Sequence, residues 1–291
     1  MRELSGLAEM RAWVAAERSR SHTIGFVPTM GYLHEGHLRL VDRARELADR
    51  VVVSIFVNPL QFGPGEDLAR YPRDLARDRK LAAARHVDCL FVPETGAIYP
   101  AGTDTVIRID AGSKAGALEG AARPGHFAGV LTVVAKLFHI VGPDLAVFGR
   151  KDFQQAILVR RMAQDLDFPL TVEVAPTVRE LDGLALSSRN TYLSPDERRS
   201  ALALSRTLRT LEQAWRGGEA DPERLQRLGM ESLRAPGVAP EYCALVDENL
   251  EPVKRLTAHT IAVVAARVGT TRLIDNVVLG EGIGADPRVS P

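Results

Sequence analysis

The chain has 291 residues, of which 37 are Lys or Arg and 37 are Asp or Glu, so its formal net charge is zero. Hydrophobic residues make up 45% and charged residues 25%, which excludes a disordered chain, because such chains combine low hydrophobicity with high net charge. A neutral balance gives no support for a sequence-independent nucleic-acid binder, which carries a basic excess. The length predicts one large domain or two modest ones.

Apolar segments of strand length alternate with helical patterns between Ile24 and about Pro176. The predicted strands are Ile24–Val27, which Pro28 ends, and then Val51–Val57, Asp88–Val92, Leu145–Phe148 and Leu170–Val174. The predicted helices are Gly36–Leu47, Leu75–Arg85, Gly129–Ile140 and Phe153–Asp165. This alternation predicts a Rossmann-like α/β fold, in which a parallel sheet is connected by right-handed crossovers. Such a sheet binds ligands at the carboxyl ends of its strands.

The pattern changes after Pro176. A polar loop, Thr177–Asn190, precedes predicted helices at about 195–216 and 222–234. Ser194-Pro195-Asp196-Glu197 has the serine, proline and acids that open a helix. The predicted strands that follow are Glu241–Val246, Thr260–Ala266 and Arg272–Val278. We therefore expect two domains, a Rossmann-like domain over 1–176 and a smaller α+β domain over 177–291, with a mobile Gly/Pro-rich tail over 280–291.

The ends and the cysteines of the chain carry few signals. The first residues lack an apolar signal-peptide core, and no apolar run approaches the ~18 residues of a membrane span, so we expect a soluble, cytoplasmic protein without membrane or nucleic-acid partners. Cys89 and Cys243 lie in apolar, strand-like segments. We predict that both are buried, reduced thiols.

The sharpest motif is Val27-Pro28-Thr29-Met30-Gly31-Tyr32-Leu33-His34-Glu35-Gly36-His37, where a strand ends, a tight turn follows and a helix begins. His34 and His37 are three residues apart and can point the same way on one helix face. The free N–H groups and the dipole of a helix N-terminus favour an anion there. Two histidines at this spacing are by themselves mostly surface residues, but in this context they indicate a phosphate site.

Two further segments offer positive charge and hydroxyl groups. Phe148-Gly149-Arg150-Lys151-Asp152 also follows a predicted strand and opens a helix, so Lys151 can act as a mobile point charge near phosphates. Asp152 can cap the helix or orient Lys151. In Leu186-Ser187-Ser188-Arg189-Asn190, two hydroxyls and a guanidinium can bind phosphate oxygens, although an ordinary turn with a helix cap explains the same composition.

A fourth segment, Phe56-Val57-Asn58-Pro59-Leu60-Gln61-Phe62, combines amide and apolar groups after the most apolar strand. Gln61 beside Leu60 and Phe62 suits a small branched substrate with hydroxyl and carboxylate groups, although a loop glutamine is usually only solvated. Arg123-Pro124-Gly125-His126-Phe127 precedes another helix. His126 is either a ligand in the first helical turn or a simple loop histidine.

Six segments together resemble the pantoate–β-alanine ligase (pantothenate synthetase) family. They are Pro28–His37, Ser54–Phe62, Arg123–Phe127, Lys151–Gln155, Asp182–Asn190 and Arg272–Asn276. The two-histidine signature alone is shared with adenylyl- and cytidylyltransferases and class I aminoacyl-tRNA synthetases. The six matches run in order over essentially the whole chain, and this narrows the resemblance to the ligase family.

The resemblance implies a two-step reaction. The carboxylate of pantoate attacks the α-phosphorus of ATP, giving pantoyl adenylate and pyrophosphate, and the amine of β-alanine then displaces AMP to give pantothenate. It also implies Mg²⁺ on the phosphates, without identifying its protein ligands, and a homodimer. Because an acyl adenylate hydrolyses readily, closure of the smaller domain as a lid is expected to exclude water.

The resemblance also implies the site residues. Catalytic roles are expected for His34, His37, Lys151, Ser187, Ser188 and Arg189. The ATP cleft is expected to comprise Pro28, Thr29, Met30, Gly31, Tyr32, Leu33, His34, Glu35, Gly36, His37, Gly149, Arg150, Lys151, Asp152, Val178, Leu186, Ser187, Ser188 and Arg189. Substrate contacts are expected from Gln61, Gln155, Asn58, Arg123 and His126, with Gln61 also bordering the β-alanine site.

One departure from the family pattern stands out. The usual motif is Phe-Gly-Glu-Lys-Asp, and this chain has Arg150 in place of the acid. We expect the Arg150 side chain to point to solvent or to a surface partner. Asp74 and Asp78 lie where an acid can reach a metal, but we interpret both as helix-surface charges.

Three alternative functions remain at this point. A nucleotidyltransferase of the same two-histidine superfamily releases a nucleotide-linked product and no AMP. An RNA-binding, synthetase-like protein needs a basic surface and an RNA-binding domain. A non-catalytic regulator binds ATP without turnover, and His34, His37 and Lys151 argue against it.

Overall fold

The computed structural model describes residues 1–289, and Ser290 and Pro291, the end of the expected mobile tail, lie outside the described residues. The described chain divides into two compact units. The first comprises Met1–Gly149 and Gln154–Ala175, and the second comprises Arg150–Phe153 and the chain from Pro176 onward. The predicted boundary near residue 176 lies close to the main division. The structure differs in grouping the short turn at Arg150–Phe153 with the second unit.

The first unit is built on a parallel sheet of six strands in the order β1-β4-β3-β2-β5-β6. Its elements are β1 (Arg2–Leu4), α1 (Leu7–Arg18), β2 (Ile24–Thr29), α2 (Glu35–Leu47), β3 (Arg50–Ile55), α3 (Leu75–Ala84), β4 (Cys89–Phe91), α4 (Thr95–Ile98), α5 (Glu119–Ala122), α6 (His126–Val141), β5 (Leu145–Gly149), α7 (Phe153–Asp165) and β6 (Thr171–Ala175).

The strand order explains where a ligand site forms. The chain runs outward from β2 through β3 to β4, and then returns to add β5 and β6 on the other side of β2. The carboxyl ends of β2 and β5 therefore flank the point where the strand order reverses, and open α/β sheets bind ligands at this point. Thr29 ends β2 and Gly149 ends β5, so both motif turns begin at this edge.

The sheet is covered on both faces, as its nearly continuous apolar strands require. On one face, strand residues such as Val51 and Val53 share a buried cluster with Val41 and Ala44 of α2. On the other face, the ring of Phe26 packs edge-on against Phe138 of α6, with 6.5 Å between ring centroids. The predicted α/β class is confirmed.

This unit differs from the sequence prediction in one strand end and in four unpredicted elements, of which two are the short helices α4 and α5. Pro28 does not end β2, because the strand continues to Thr29 with Pro28 opposite Ser54. The elements β1 and α1 were not predicted. The helix could have been found, since its buried residues Met10, Trp13, Val14 and Glu17 follow the three- and four-residue spacing of one helix face.

The second unit pairs two helices with an antiparallel sheet in the order β10-β9-β8. Its elements are β7 (Arg179–Glu180), α8 (Pro195–Arg216), α9 (Pro222–Ser232), β8 (Val238–Val246), β9 (Ile261–Val268), β10 (Thr271–Val278) and β11 (Arg288–Val289). The predicted serine cap of α8 is confirmed, because the Glu197 N–H donates to Ser194 Oγ at 3.3 Å. Leu204, Leu208 and Leu211 of α8 lie in the core of the unit.

The expectation of a mobile tail from residue 280 is wrong for its described part. Arg288 and Val289 form β11, which pairs in parallel with Arg179 and Glu180. Asp286 is only 4% exposed, and it bonds to the buried guanidinium of Arg179. A buried ion pair and a strand pairing hold this segment on the unit, which its Gly/Pro-rich composition did not indicate.

Cys89 and Cys243 are both unbridged and buried, as predicted. Burial raises the pKa of each thiol to about 12, so both stay protonated and unreactive at neutral pH. Within residues 1–289, no helix combines the length and the apolar character needed to cross a membrane.

Candidate active site

The turn after β2 is shaped by hydrogen bonds between the Thr29 side chain and the backbone. Thr29 Oγ1 donates to the Ser54 carbonyl at 2.7 Å and accepts from the Gly31 N–H at 3.1 Å. Gly31 has a φ of +80°, and a Cβ there would lie 2.8 Å from Ile55 Cγ2. Both the conformation and the close approach to β3 require glycine at this position.

Asp78 of α3 anchors the same turn. Its carboxylate accepts the Tyr32 N–H at 2.8 Å and the Leu33 N–H at 2.7 Å, and the residue is 1% exposed. Burial raises the pKa of Asp78, and the two amide hydrogen bonds oppose this shift. The interpretation of Asp78 as a surface charge is therefore wrong. Asp74 does lie at the start of α3, where its side chain accepts the Arg77 N–H.

His34 and His37 lie together at the N-terminus of α2. Their ring centroids are 4.1 Å apart and the rings are tilted by 34°, which matches the predicted common face. The His34 N–H faces His37 Nδ1 at 3.4 Å, so Nδ1 is an acceptor and the proton of the neutral ring lies on Nε2. His37 can therefore donate a hydrogen bond from Nε2 beside the backbone amides of the helix N-terminus.

Glu35 lies between the two histidines, but its side chain is engaged elsewhere. The carboxylate pairs with Arg85 Nη2 at 2.8 and 2.9 Å and with Arg39 Nε at 3.3 Å. If Glu35 contacts a nucleotide as predicted, the contact is made by its backbone and not by its carboxylate.

The loop after β3 is held by Asn58, which is 1% exposed. Asn58 Nδ2 donates to Gln61 Oε1 and to the Gly129 carbonyl, each at 3.1 Å, and Asn58 Oδ1 accepts from Tyr99 Oη at 2.8 Å. Both polar atoms of Asn58 are thus used inside the protein, and one of them orients the Gln61 amide.

Arg123 and His126 hold the backbone of the same loop. His126 Nδ1 lies 2.8 Å from the Gln61 carbonyl, and Arg123 Nη2 donates to that carbonyl at 3.2 Å. Arg123 also forms a two-pronged ion pair with Glu66, at 2.8 and 2.6 Å. Burial and the Arg123 charge lower the pKa of His126 to about 4, so the ring is neutral. Nδ1–H then donates to Gln61, and Nε2 accepts from Arg123 Nη1 at 3.0 Å.

Two glutamines at the start of α7 have different surroundings. Gln154 is 4% exposed, accepts the Glu119 N–H and donates to the carbonyls of Lys114 and Ala117. It therefore joins α7 to the segment before α5. Gln155, the predicted substrate ligand, is half-buried.

In the second unit, Lys151 lies in the short helical turn Arg150–Asp152. Its ammonium lies 3.6 Å from Asp152 Oδ1, which is consistent with the predicted orienting role of Asp152. Of the two expectations for Arg150, exposure to solvent is wrong, whereas a surface partner is present, because Glu281 is exposed. The Arg150 side chain is 14% exposed, and its guanidinium pairs with Glu281 and with the buried carboxylate of Asp286.

The predicted phosphate loop Leu186–Arg189 is joined to Val178, because the Leu186 N–H donates to the Val178 carbonyl at 2.9 Å. Ser187 Oγ accepts the Arg189 N–H at 3.2 Å and caps the following turn, as the structural alternative predicts. The hydroxyl hydrogen of Ser187 remains a possible donor, because an Oγ can accept and donate at once. Ser188 is buried, and Ser187 and Arg189 are half-buried.

Glu180 and Asn190 brace this loop, a role that the sequence analysis did not predict for either residue. Asn190 Nδ2 donates to Glu180 Oε1 and to the Ala185 carbonyl, at 3.2 and 3.1 Å. Arg198 of α8 pairs with Glu180 at 2.6 Å and with Asp182 at 2.8 Å. These contacts fix the backbone from which the predicted phosphate ligands project.

Comparison with known proteins identifies the family. The profile of the pantoate-beta-alanine ligase family matches residues 3–278. The chain belongs to the pantoate–β-alanine ligase family. The pantothenate synthetase of Heliobacterium modesticaldum is 52% identical over 281 residues, which cover 96% of this chain and 99% of the relative.

Solved structures of this ligase family are similar to the chain in both sequence and fold. A pantothenate synthetase from Thermus thermophilus is 49% identical, with a TM-score of 0.90 and coverage of 96% of this chain and 99% of that one. A pantoate–β-alanine ligase from Francisella tularensis, complexed with β-γ ATP and β-alanine, is 33% identical, with a TM-score of 0.77 and coverage of 97% and 99%. The predicted family, its fold and its class, a ligase that forms a carbon–nitrogen bond, are confirmed.

Proposed function

We propose that this ligase condenses pantoate with β-alanine through an enzyme-bound pantoyl adenylate. A carboxylate oxygen of pantoate attacks the α-phosphorus of ATP, the bond from that phosphorus to the bridging oxygen breaks, and pyrophosphate leaves. The amine nitrogen of β-alanine then attacks the acyl carbon, loses a proton, and AMP leaves. The observation that carries the proposal is the pair of adjacent imidazoles, with ring centroids 4.1 Å apart, at the N-terminus of α2.

In the first unit, His34, His37 and the N-terminus of α2 bind the phosphates. The His37 tautomer supports this role, because an Nε2–H donates to a phosphate oxygen without needing a charged ring. These donors gain strength as negative charge moves onto the leaving pyrophosphate, and this lowers the barrier to adenylation. The nucleotide also contacts the backbone of the turn Pro28–Gly36.

In the second unit, Lys151, Ser187, Ser188 and Arg189 supply further donors to the phosphates. Lys151 acts as a point charge, and Arg189 can bind two phosphate oxygens with its planar fork. The remaining proposed ATP contacts are Gly149, Arg150, Asp152, Val178 and Leu186. For Arg150 the contact is assigned to the backbone, since its guanidinium is paired with Asp286 and Glu281.

Gln61 and Gln155 hold pantoate, and Gln61 also borders the β-alanine site. Gln61 Oε1 accepts from Asn58 Nδ2 and Gln61 Nε2 donates to Met30 Sδ, each at 3.1 Å. An amide has two N–H hydrogens and two acceptor lone pairs, so the second of each can bind a substrate carboxylate or hydroxyl. Sequence analysis predicts direct substrate contacts for Asn58, Arg123 and His126 as well. Because their polar atoms are engaged with protein groups, we assign all three to the positioning of the Gln61 loop.

Magnesium enters the proposal as part of the substrate, MgATP. Among residues 1–289, no group of three or more His, Cys, Asp or Glu is arranged to hold a metal ion. Asp78 and Asp74 are instead engaged with backbone amides. Mg²⁺ commonly keeps several waters and binds mainly through phosphate oxygens, so a dedicated protein cage is not required.

The family resemblance also supports a homodimer located in the cytoplasm. Light scattering coupled to size-exclusion chromatography tests the dimer by giving the mass in solution. A mass of one chain at micromolar concentration would remove the homodimer from the proposal and leave the chemistry of the site unaffected.

The reaction is tested by incubating the protein with ATP, Mg²⁺, pantoate and β-alanine and identifying all products. We expect pantothenate, AMP and pyrophosphate in equal amounts. ATP and pantoate alone should give pyrophosphate and a bound acyl adenylate, because activation precedes attack by the amine. Pyrophosphate that appears only after β-alanine is added would contradict the two-step order, and a product without AMP would indicate a nucleotidyltransferase.

A further inference from the structure

The family-like segment Arg272–Asn276 has no role in the function proposed above. Its last residue, Asn276 of β10, is 3% exposed. Asn276 Nδ2 donates to the carbonyl of Arg150 at 2.8 Å and to the carbonyl of Lys151 at 3.0 Å. One side-chain amide therefore holds two consecutive carbonyls of the turn that carries Lys151.

Asn276 is itself held by a buried guanidinium. Arg179, which is fully buried, donates to both carboxylate oxygens of Asp275, at 2.7 and 2.9 Å, and to the Asn276 carbonyl at 3.1 Å. Asp275 Oδ1 in turn accepts the Asn276 N–H at 2.8 Å. The backbone of Asn276 is thus fixed at both its N–H and its carbonyl.

The Arg179 guanidinium is also linked to the turn Arg150–Asp152 through Asp286. Arg179 Nε donates to Asp286 Oδ2 at 2.7 Å, and Asp286 Oδ1 accepts from Arg150 Nη2 at 3.0 Å. Burial lowers the pKa of Arg179, but the carboxylates of Asp275 and Asp286 raise it by more, so the guanidinium stays charged. The turn is therefore held through its backbone by Asn276 and through a side chain by Arg150.

We propose that Asn276 is a positioning residue for Lys151, and that it fixes the turn Arg150–Asp152 so that the ammonium meets the phosphates in a defined place. The argument is geometric, because two donors from one planar amide set the direction of two successive peptide units. A lysine side chain has many rotamers, so its reach depends on where its backbone is held. Asn276 touches no substrate in this scheme, and the inference rests on the proposed role of Lys151.

The test is a double-mutant cycle on pyrophosphate release in a single turnover with MgATP and pantoate. Asn276→Asp keeps the shape of the side chain but turns an acceptor toward the two carbonyls. Because small displacements of a catalytic group can cost on the order of 100-fold, we expect Asn276→Asp to slow adenylation by about 10- to 100-fold. The ATP concentration that gives half the maximal rate should change by less than about threefold, since Asn276 contacts no nucleotide.

The Lys151→Ala background decides between positioning and general structural support. If Asn276 acts through Lys151, Asn276→Asp should change the residual adenylation rate of Lys151→Ala by less than about twofold, because residues that act as a unit are not additive. An equal loss in both backgrounds, or no loss in the parent enzyme, would overturn the inference. If Lys151→Ala itself leaves adenylation unchanged, the proposed role of Lys151 fails, which is a separate result.

Two controls keep the cycle interpretable. Asn249→Asp makes the same chemical change at an exposed turn of the same unit and should leave adenylation unchanged. Thermal unfolding identifies a variant that has lost its fold. If Asn276→Asp does not fold, Asn276→Ala removes the two donors without adding a charge, and the same cycle applies to it.

Discussion

The two helix-opening turns that follow β2 and β5 are held in opposite ways. The turn at Met30–Leu33 is fixed by backbone amides that donate to Thr29 and Asp78, both within about fifty residues of the chain. The turn at Arg150–Asp152 is fixed by Asn276 and by the ion pair of Arg150 with Asp286, more than a hundred residues away. Turns at equivalent positions in a fold can therefore depend on local or on remote anchors.

The difference matters because the two turns present different chemistry. The first offers imidazoles and backbone amides, whose direction is set by the helix on which they lie. The second offers a lysine, whose flexible side chain has no preferred direction of its own. A remote, buried network supplies the rigidity that the lysine lacks, and this gives the comparison consequences that mutation can measure.

The largest effect is expected at Lys151. Lys151→Ala should slow adenylation by about 100- to 1,000-fold, the usual loss for one preorganised donor to a developing charge, while the protein stays folded. The control is Arg150→Ala, which should slow adenylation by less than about tenfold, because the guanidinium is paired with Asp286 and Glu281 and not with phosphate, and Asn276 still holds the backbone of the turn. Single-turnover pyrophosphate release measures both variants. Greater damage from Arg150→Ala would show that charge is wrongly assigned in this motif.

Asp78 tests the locally held turn. Asp78→Ala leaves the Tyr32 and Leu33 amides without their acceptor, and we expect a loss of about 2 kcal/mol in the free energy of unfolding, measured by urea denaturation. Asp74→Ala, at the start of the same helix, should cost only about 1 kcal/mol, the usual value of an N-cap. Equal losses would mean that Asp78 contributes no more than a helix cap.

Much of this architecture follows from local patterns in the sequence. Continuous apolar runs such as Val51–Val57 predict buried parallel strands, and the three-residue spacing of His34 and His37 predicts their common face. The serine, proline and acids at the start of α8 predict its first turn. Each of these signals lies within about ten residues of the structure that it specifies.

Anchors distant in sequence could not be predicted in the same way. Asp78 looks like any helix-surface acid until the turn that it contacts is in place, and Arg150 reads as a solvated charge without Asp286. The position of Asp286 in turn depends on Arg179, which is 107 residues away in the chain. Hydrophobic periodicity carries no information about such pairings, because they join polar groups on separate elements.

Gln61 lies in a loop that combines both kinds of anchor, with Asn58 close in sequence and Arg123 and His126 distant. Gln61→Ala should raise the KM values for pantoate and β-alanine by about tenfold, the equivalent of one neutral hydrogen bond of roughly 1.4 kcal/mol. ATP binding, measured by calorimetry without pantoate, should be nearly unchanged. An equal loss of ATP affinity would show that the assignment of Gln61 to the pantoate and β-alanine sites is wrong.

The remote anchor of that loop should also make stability depend on pH, with a smaller effect. The pKa of His126 is about 4 in the folded protein and about 6.5 in the unfolded chain, so between these values the unfolded state binds more protons and stability falls as pH falls. We expect the free energy of unfolding to lose about 1 kcal/mol from this residue between pH 6.5 and 5.5.

His126→Gln removes the titrating group, so its urea denaturation curves should shift less over this interval than those of the parent protein. His86→Gln makes the same chemical change at an exposed histidine and is the matched control for the substitution itself. If His126→Gln and the parent protein lose stability equally over this interval, His126 is not the buried, neutral anchor of the Gln61 loop.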